Sequence, residues 1–338
     1  MRPFTYERAG DAPAALRAAA ARPGERAPTS AHTQFIAGGT QMLDLMKLDT
    51  MQPGALVDIN GLDATLGRIE ANGDGLRLGA LVRMSEAAAH PAVNRDYPVI
   101  AQTLQMAASA QLRNMATLAG NVLQRTRCEY FRNPAWANCN KRAPGSGCAA
   151  LDGVNRQHAV LGVGQNCIAS YAGDFAQALV ALGATVQVAG PKGTRTVAVD
   201  ALHTGPEAPN VETVLLPGEL ITGFLVPAGS WTRRSTYVKV RDRESYAYGV
   251  ATAAVALDLR GGVVQEARIS LGAVSYRPWR ARDAEALLRG KRLDEGTATA
   301  AAQAAFAAAR PREGNAHLPD LGRRTLVRAL LQAQAMEA

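Results

Sequence analysis

Apolar residues at helical spacing and short runs of alternating or continuous apolar residues interleave along the whole chain. Residues 13–21, rich in alanine and leucine, predict a helix, and 33–37 predict a strand that ends in Gly38-Gly39-Thr40. Met42, Leu45, Met46 and Leu48 recur at helical spacing, so a helix starts there with the Thr40 hydroxyl as its expected N-cap. Short strands bounded by Gly, Asn or Asp are expected at 55–59, 66–70 and 76–79, a succession without a βαβαβ rhythm. Helices at 84–89 and 99–108 precede a polar glycine turn at 114–121. The next stretch contains Asn133-Pro134, Pro144-Gly145 and the glycines Gly162 and Gly164, and reads as mostly loop. Regular structure resumes with a helix at 175–182, a strand at 184–189 and a hairpin-like turn at Gly190-Pro191-Lys192-Gly193. A boundary is expected at 227–232. Strands follow at 235–240, 250–259 and 263–273, the last two joined by the tight turn Gly261-Gly262. Helices at 281–288, 296–309 and 323–334 close the chain, and the class is α+β.

A chain of 338 residues exceeds what one core usually serves, so two or three domains are expected and none needs crosslinks to be stable. Hydrophobic residues make up 47% and charged residues 20%, a globular balance that excludes a disordered chain. The longest mostly apolar runs, such as 250–257, fall short of the roughly 18 residues of a membrane span, so no span is expected. Met1-Arg2-Pro3-Phe4-Thr5-Tyr6-Glu7 lacks an apolar signal core; the expected location is periplasmic by co-export with a signal-bearing partner, or cytoplasmic. The net charge of +8 suits nucleic acid, an anionic cofactor or an acidic partner. The basic residues are spread out with no aromatic interleaving, which argues against nucleic acid, and Arg233-Arg234 and Arg323-Arg324 read as solvated surface.

All four cysteines, Cys128, Cys139, Cys148 and Cys167, lie within about forty residues at spacing C-x10-C-x8-C-x18-C. Zinc ribbons and knuckles need closer pairs. An iron-sulfur cubane accepts one thiolate per iron from widely spaced positions, while a structural zinc, two disulfides or four unrelated thiols remain open. The histidines His32, His90, His158, His203 and His317 are scattered and read as structural.

The junction Phe35-Ile36-Ala37-Gly38-Gly39-Thr40-Gln41-Met42 has what a diphosphate needs, small residues for close backbone approach and free amides at a helix start, although such a turn is often only a turn and the dinucleotide-fold glycine spacing is missing. Thr117-Leu118-Ala119-Gly120-Asn121 has the same properties, and two such turns can grip one extended nucleotide.

Taken with Leu56-Val57-Asp58-Ile59-Asn60, Gln111-Leu112-Arg113-Asn114-Met115-Ala116 leading into the second turn, and Arg277-Pro278-Trp279-Arg280, these segments resemble in order the FAD-binding subunits of molybdenum hydroxylases of the xanthine dehydrogenase family. Within it the likeness is greatest to the flavoprotein subunits of periplasmic aldehyde oxidoreductases, whose members carry a cysteine-bearing insertion here. The resemblance implies a two-part FAD-binding domain of the vanillyl-alcohol-oxidase/PCMH type at 1–227, with subdomains 1–60 and 61–227 and an inserted iron-sulfur loop at about 122–170. A smaller α+β C-terminal domain, resembling that of carbon monoxide dehydrogenase flavoproteins, would occupy 228–338.

The resemblance also implies that Phe35, Ile36, Ala37, Gly38, Gly39, Thr40, Gln41 and Met42 wrap the FAD diphosphate, and that Ala107, Thr117, Gly120 and Asn121 form the opposite wall. Asp174 would hold the adenosine ribose or its surroundings, or serve as an N-cap for the helix that follows. Ile221 would line the cofactor, and Lys239 would lie near the isoalloxazine edge, where an exposed strand lysine is the plain alternative. It implies a [4Fe-4S] cluster with one thiolate each from Cys128, Cys139, Cys148 and Cys167, its charge offset by Arg127, Arg132, Lys141 and Arg142 unless these form a solvated basic loop. Tyr246 and Tyr248 depart from the family pattern and put the flavin's exposed face in doubt. The expected function is electron transfer in a heterotrimer with a molybdopterin-binding large subunit and a [2Fe-2S] small subunit that oxidises an aldehyde and serves an external acceptor. The alternative is a 4-hydroxybenzoyl-CoA reductase-type subunit with inward electron flow.

Overall fold

The computed structural model describes residues 1–337. Strands Thr5–Arg8 (β1), Thr33–Ile36 (β2) and Ala55–Asp58 (β3) form a parallel sheet in the order β1-β3-β2, with helices Ala12–Ala18 and Met42–Lys47 between successive strands. This corrects the expected rhythm, because the first sixty residues are a βαβαβ unit. Its first strand is exposed at all four positions, so no apolar alternation marks it in the sequence. Asp11 caps the first helix by accepting from the Ala14 amide at 2.7 Å, with Pro13 in the first turn where no amide is needed.

A second sheet is antiparallel throughout and runs β4-β5-β8-β6-β7, from Ile69–Asn72 (β4), Gly75–Gly79 (β5), Thr185–Gly190 (β6), Gly193–Ala198 (β7) and Leu220–Pro227 (β8). The expected strand at 66–70 is displaced: Asp63–Leu66 is a helical turn, and the strand begins at Ile69. β7 and β8 were not foreseen. β7 is exposed at all but one position, with no alternation of apolar residues, and β8 carries a glycine and ends in proline. Helices Met84–Ala89, Pro98–Gln105 and Phe175–Leu182 cover this sheet, and Leu78, Leu104, Phe175, Leu179 and Phe224 are fully buried between the layers.

Ser235–Val240 (β9), Ala251–Arg260 (β10), Val263–Gly272 (β11) and Trp279–Arg280 (β12) make a third, antiparallel sheet in the order β12-β11-β10-β9. Gly261 and Gly262, at φ +57° and +81°, form the hairpin turn, a conformation open to glycine without strain. The tail helices Arg282–Leu288, Glu295–Ala305 and Leu318–Gln334 follow it. On β10, Ala253, Val255 and Leu257 join the core under these helices, while Ala254 and Ala256 join the core of the second sheet. Alternate residues of one strand therefore serve two cores, which explains its continuous apolar run. Arg233 is exposed as expected, whereas Arg234 is half-buried and donates to the Gln334 carbonyl at 3.0 Å, holding the end of the last helix. Among the described residues no helix is long and apolar enough to cross a membrane.

Phe224 packs edge-on against Phe175 with ring centroids 5.7 Å apart, at the centre of the largest core. Phe224→Ala is expected to cost about 3–5 kcal/mol. Thermal or urea unfolding of the purified variant beside the wild type checks this, and an unchanged midpoint would contradict the assignment of that core.

Candidate functional site

The first glycine turn is built by exclusion. A Cβ at Gly38 would overlap the Met115 carbonyl oxygen, and Gly39 holds φ +69°, so the turn presses on the helix Ala110–Met115 as only glycines allow. The helix after it starts at Met42 with Gln41 at the cap position and no side-chain cap bond, so Thr40 is not the cap. Gln41 is used elsewhere: its Oε1 accepts from the Arg125 amide at 2.7 Å and its Nε2 donates to the Leu123 carbonyl at 3.4 Å.

The second turn is the meeting of two short helices, not a continuous turn at 114–121. Leu118–Val122 begins behind Thr117, whose Oγ1 accepts from the Gly120 amide at 3.2 Å. Asp58 and Asn60 link the two turns. Asp58 accepts from the Asn60 amide and side chain at 2.8 and 2.7 Å, and Asn60 donates to the Ala37 carbonyl at 3.1 Å. Arg83 then donates to Asn60 Oδ1 at 3.0 Å and to the Met115 carbonyl at 2.7 Å. Sequence reading quoted the Asp58-Ile59-Asn60 segment without a role and missed Arg83, which carries no local signal.

Between the turns lies a cavity of about 230 Å³. All eight residues from Phe35 to Met42, with Thr117 and Gly120, line it. Ala107, Asn121, Asp174, Ile221 and Lys239 do not. Ala107 is buried and its carbonyl accepts from Arg113 at 2.8 Å. Ile221 is a core residue of β8. Asn121 donates to Met84 Sδ at 3.5 Å, while its buried Oδ1 has no partner.

Asp174 and Lys239 meet in a buried ion pair of 2.7 Å, with side chains 6% and 1% exposed. The other Asp174 oxygen accepts from Tyr237 Oη at 2.5 Å, and Lys239 also donates to the Met106 carbonyl at 3.1 Å. Neither plain alternative holds. Asp174 stands at the cap position in helical backbone with no capping bond, because both oxygens are engaged elsewhere. Lys239 is buried because β9 is covered by the helix Pro98–Gln105 and its neighbours.

The insertion has a closed neck: Thr126 Oγ1 donates to the Ser170 carbonyl and Tyr171 Oη to the Val122 carbonyl, both at 2.8 Å. Inside it the four cysteines draw together. Cys128 shares one apolar cluster with Cys139, another with Cys148 and a third with Cys167, and Cys139 and Cys148 are bridged through their backbones. No cysteine is in a disulfide, and among the described residues no three His, Cys, Asp or Glu side chains are gathered to hold a single metal ion. The Cys167 thiol donates to Cys148, which pulls Cys148 below the ordinary thiol value and, with burial, pushes Cys167 above it. Burial pushes Cys128 up to about 11, and His158 Nε2 stands 3.2 Å from its sulfur. The four thiols are free, and each of the other three shares an apolar cluster with Cys128.

The basic residues around them are not a solvated loop, and each has partners of its own. Arg132 and Arg127 pair with Asp44 at 2.8 and 3.2 Å, and Arg142 donates to the Phe131 carbonyl at 2.7 Å and to the Tyr130 and Trp136 carbonyls. Arg127 also stacks on Tyr248, 5.0 Å from the ring centroid, and Asp242 accepts from Gln157 at 3.0 Å, so the departing segment around Tyr246 leans on the insertion. Lys141 alone of the four faces both the cysteines and the cavity.

Lys141 belongs to a charged group that sequence reading missed. Arg125 donates to Glu212 Oε1 at 2.7 Å, and Lys141 Nζ lies 3.5 Å from the same oxygen, 3.2 Å from Tyr276 Oη and 3.3 Å from the Pro209 carbonyl. All three charged side chains are buried and line the cavity wall opposite the glycine turns. Glu212 lies in an irregular loop, where an isolated carboxylate reads as surface.

The match to known proteins covers the chain from end to end. A model of the FAD binding domain in molybdopterin dehydrogenase matches residues 2–229, and a model of the CO dehydrogenase flavoprotein C-terminal domain matches 235–338. The aldehyde oxidoreductase FAD-binding subunit PaoB of Escherichia coli K12 is 44% identical over 338 residues, 99% of each chain. Among solved structures, carbon monoxide dehydrogenase from Hydrogenophaga pseudoflava superposes with a TM-score of 0.75 at 24% identity, over 99% of this chain and 98% of that one. Quinoline 2-oxidoreductase from Pseudomonas putida 86 gives 0.74 at 24% identity, over 98% and 97%. At that identity the two structures speak for the fold alone.

Burial alone would raise the Glu212 carboxyl, but Arg125 and then Lys141 outweigh it and hold it below its ordinary 4.5. A carboxyl depressed in the folded state contributes fully above that value and loses its contribution as pH falls below it. Glu212→Gln leaves two buried cations uncompensated and is expected to cost about 3–5 kcal/mol at neutral pH. Its stability should also fall less steeply than the wild type's between about pH 5 and pH 3. Unfolding curves across that range check both, and identical acid limbs would contradict the pairing.

Proposed function

The chain belongs to the FAD-binding subunits of the molybdenum hydroxylase family, and from that premise we propose that it is the flavin and [4Fe-4S] electron-transfer subunit of a heterotrimeric aldehyde oxidoreductase. The observation that carries the aldehyde reading is 44% identity over the whole chain to a subunit named for that activity. The partners are a molybdopterin-binding large subunit and a small subunit with [2Fe-2S] clusters. Bound FAD supplies two-electron redox chemistry between electrons released by aldehyde oxidation and an external acceptor. No catalytic residue is assigned to this chain, whose residues bind and orient the cofactor.

The paired glycine turns are the cofactor's cradle. Gly38 and Gly39 let the backbone approach the diphosphate, Gln41 and Met42 continue that wall, and Thr117 and Gly120 face it. The unpartnered Asn121 Oδ1 is a buried acceptor that suits a hydroxyl or N–H of the cofactor. Asp174 and Lys239, being one ion pair, serve a single end of FAD together, not two separate parts of it. Ala107 and Ile221 support these walls from the core. In this reading subdomains 1–60 and 61–227, of vanillyl-alcohol-oxidase type, hold FAD, and 228–338 closes over them. Anaerobic mixing of the purified complex with an aromatic aldehyde is expected to bleach the flavin absorbance. An unbleached flavin that a reduced ferredoxin does bleach would reverse the direction of electron flow and overturn the aldehyde reading.

Cys128, Cys139, Cys148 and Cys167 each give one thiolate to a [4Fe-4S] cluster that cross-links the insertion and is redox-capable. Supporting this are the four free thiols, with Cys128 sharing an apolar cluster with each of the other three. The anaerobically purified complex, with this subunit's cysteines intact, should contain about four more irons and four more acid-labile sulfides than a variant lacking the four thiols. Zinc without labile sulfide in the isolated subunit would overturn the assignment.

A further inference from the structure

The insertion touches the cofactor cleft at three places in its sequence, the last of them at its end, where Ala169 and Ser170 line the cavity. Near its start, the Arg125 amide donates to Gln41 and the Leu123 carbonyl accepts from Gln41, so the diphosphate turn rests on the insertion's first residues. Deeper in, Lys141 stands two residues beyond Cys139 and reaches back into the cleft wall, where Glu212 holds it beside Arg125. An apolar link runs parallel. Phe131 is fully buried with Cys139, Leu45 and Met51, Met42 packs on the same cluster, and the Arg125 guanidinium lies 4.5 Å from the Phe131 ring centroid. Lys141 also binds Tyr276 Oη, so it ties the cysteine loop both to the loop that carries Glu212 and to the C-terminal half.

We infer that the cysteine insertion is part of the flavin site, with Lys141 as the positioning residue that joins the cysteine pocket to the FAD cleft, so that FAD is held tightly only when the cysteine loop is ordered. The inference rests on the reading that FAD occupies the cleft and that the four cysteines hold a cluster. Its physical basis is the sparse regular structure of the insertion: apart from the short helix Glu129–Arg132, residues 123–174 contain no helix or named strand. Such a loop loses its conformation unless ligands or side-chain contacts hold it, and a loosened loop withdraws one wall of the cleft. Lys141 is buried because Glu212 and Tyr276 receive it, so it transmits any displacement of Cys139 to the group beside the cofactor.

The test uses the purified heterotrimer and follows iron, labile sulfide and FAD separately. Lys141→Met keeps the stem and removes the charge. It should retain iron and sulfide while the Kd for FAD, measured by flavin fluorescence on the deflavinated complex, rises at least tenfold. Unchanged FAD affinity in Lys141→Met overturns the inference. A second measurement needs no variant: anaerobic reductive chelation of iron from the wild type should release FAD in step with iron loss. Retention of FAD after complete iron removal likewise overturns it. Wild-type complex that lacks the extra iron from the outset refutes the cluster, and the Lys141→Met affinity then decides by itself whether the insertion belongs to the flavin site.

Discussion

Glu212 is the group on which the far wall of the cleft depends. Its carboxylate is buried between Arg125 and Lys141, and a lone charge at that depth would either neutralise or expel the loop that carries it. Because both cations come from one stretch of chain and the anion from another, the three assemble only when the insertion lies on the body of the protein. A buried ion group of this kind is weak evidence for extra stability. Removing one member is nonetheless costly, because it leaves the others buried without a counter-charge.

The glycine turns on the near wall obey a different constraint, which is steric. Gly38 has no room for a side chain against Met115, and Asn60 and Arg83 bind the carbonyls that flank the contact. One wall is thus positioned by close backbone packing and the other by buried charge. Behind both, β10 shares its alternate residues between two cores and holds the C-terminal sheet to the FAD-binding half, so Tyr237 and Lys239 on the neighbouring strand meet Asp174 across that seam.

Elements with strong apolar periodicity were legible from the sequence: the helix Phe175–Leu182, the hairpin β10–β11, and the turns at Gly190 to Gly193 and Gly261 to Gly262. β1 and β7 were not, because an exposed edge strand buries no alternate face and offers no apolar period to read. The glycine turns could be located but not described. That Thr117 caps a helix while Thr40 caps none depends on Gln41 finding partners in the insertion, some eighty residues away. Lys239 read equally well as an exposed strand residue, since its burial is decided by Asp174 and by a helix from another part of the chain. Glu212 had no motif at all, and the four basic residues near the cysteines found carboxylates and carbonyls that spacing does not reveal.

The closed neck explains how the fold holds so long an irregular segment between Val122 and Phe175. The bonds from Thr126 to Ser170 and from Tyr171 to Val122 bring its two ends together, and adding residues to a loop whose ends already meet costs little, growing only slowly with length. Thr126, Ser170 and Tyr171 themselves line the cleft, so the neck cannot form without also forming that part of the wall. The segment also supports the first glycine turn, because Gln41 bonds the Arg125 amide and the Leu123 carbonyl. To the wall of the cleft it supplies a neck, a buried arginine and a buried lysine, with the lysine two residues from a cysteine. The cysteine segment is therefore coupled mechanically to the cleft, because the route from Cys139 to the cavity runs through packed side chains and ion pairs on the same short segment.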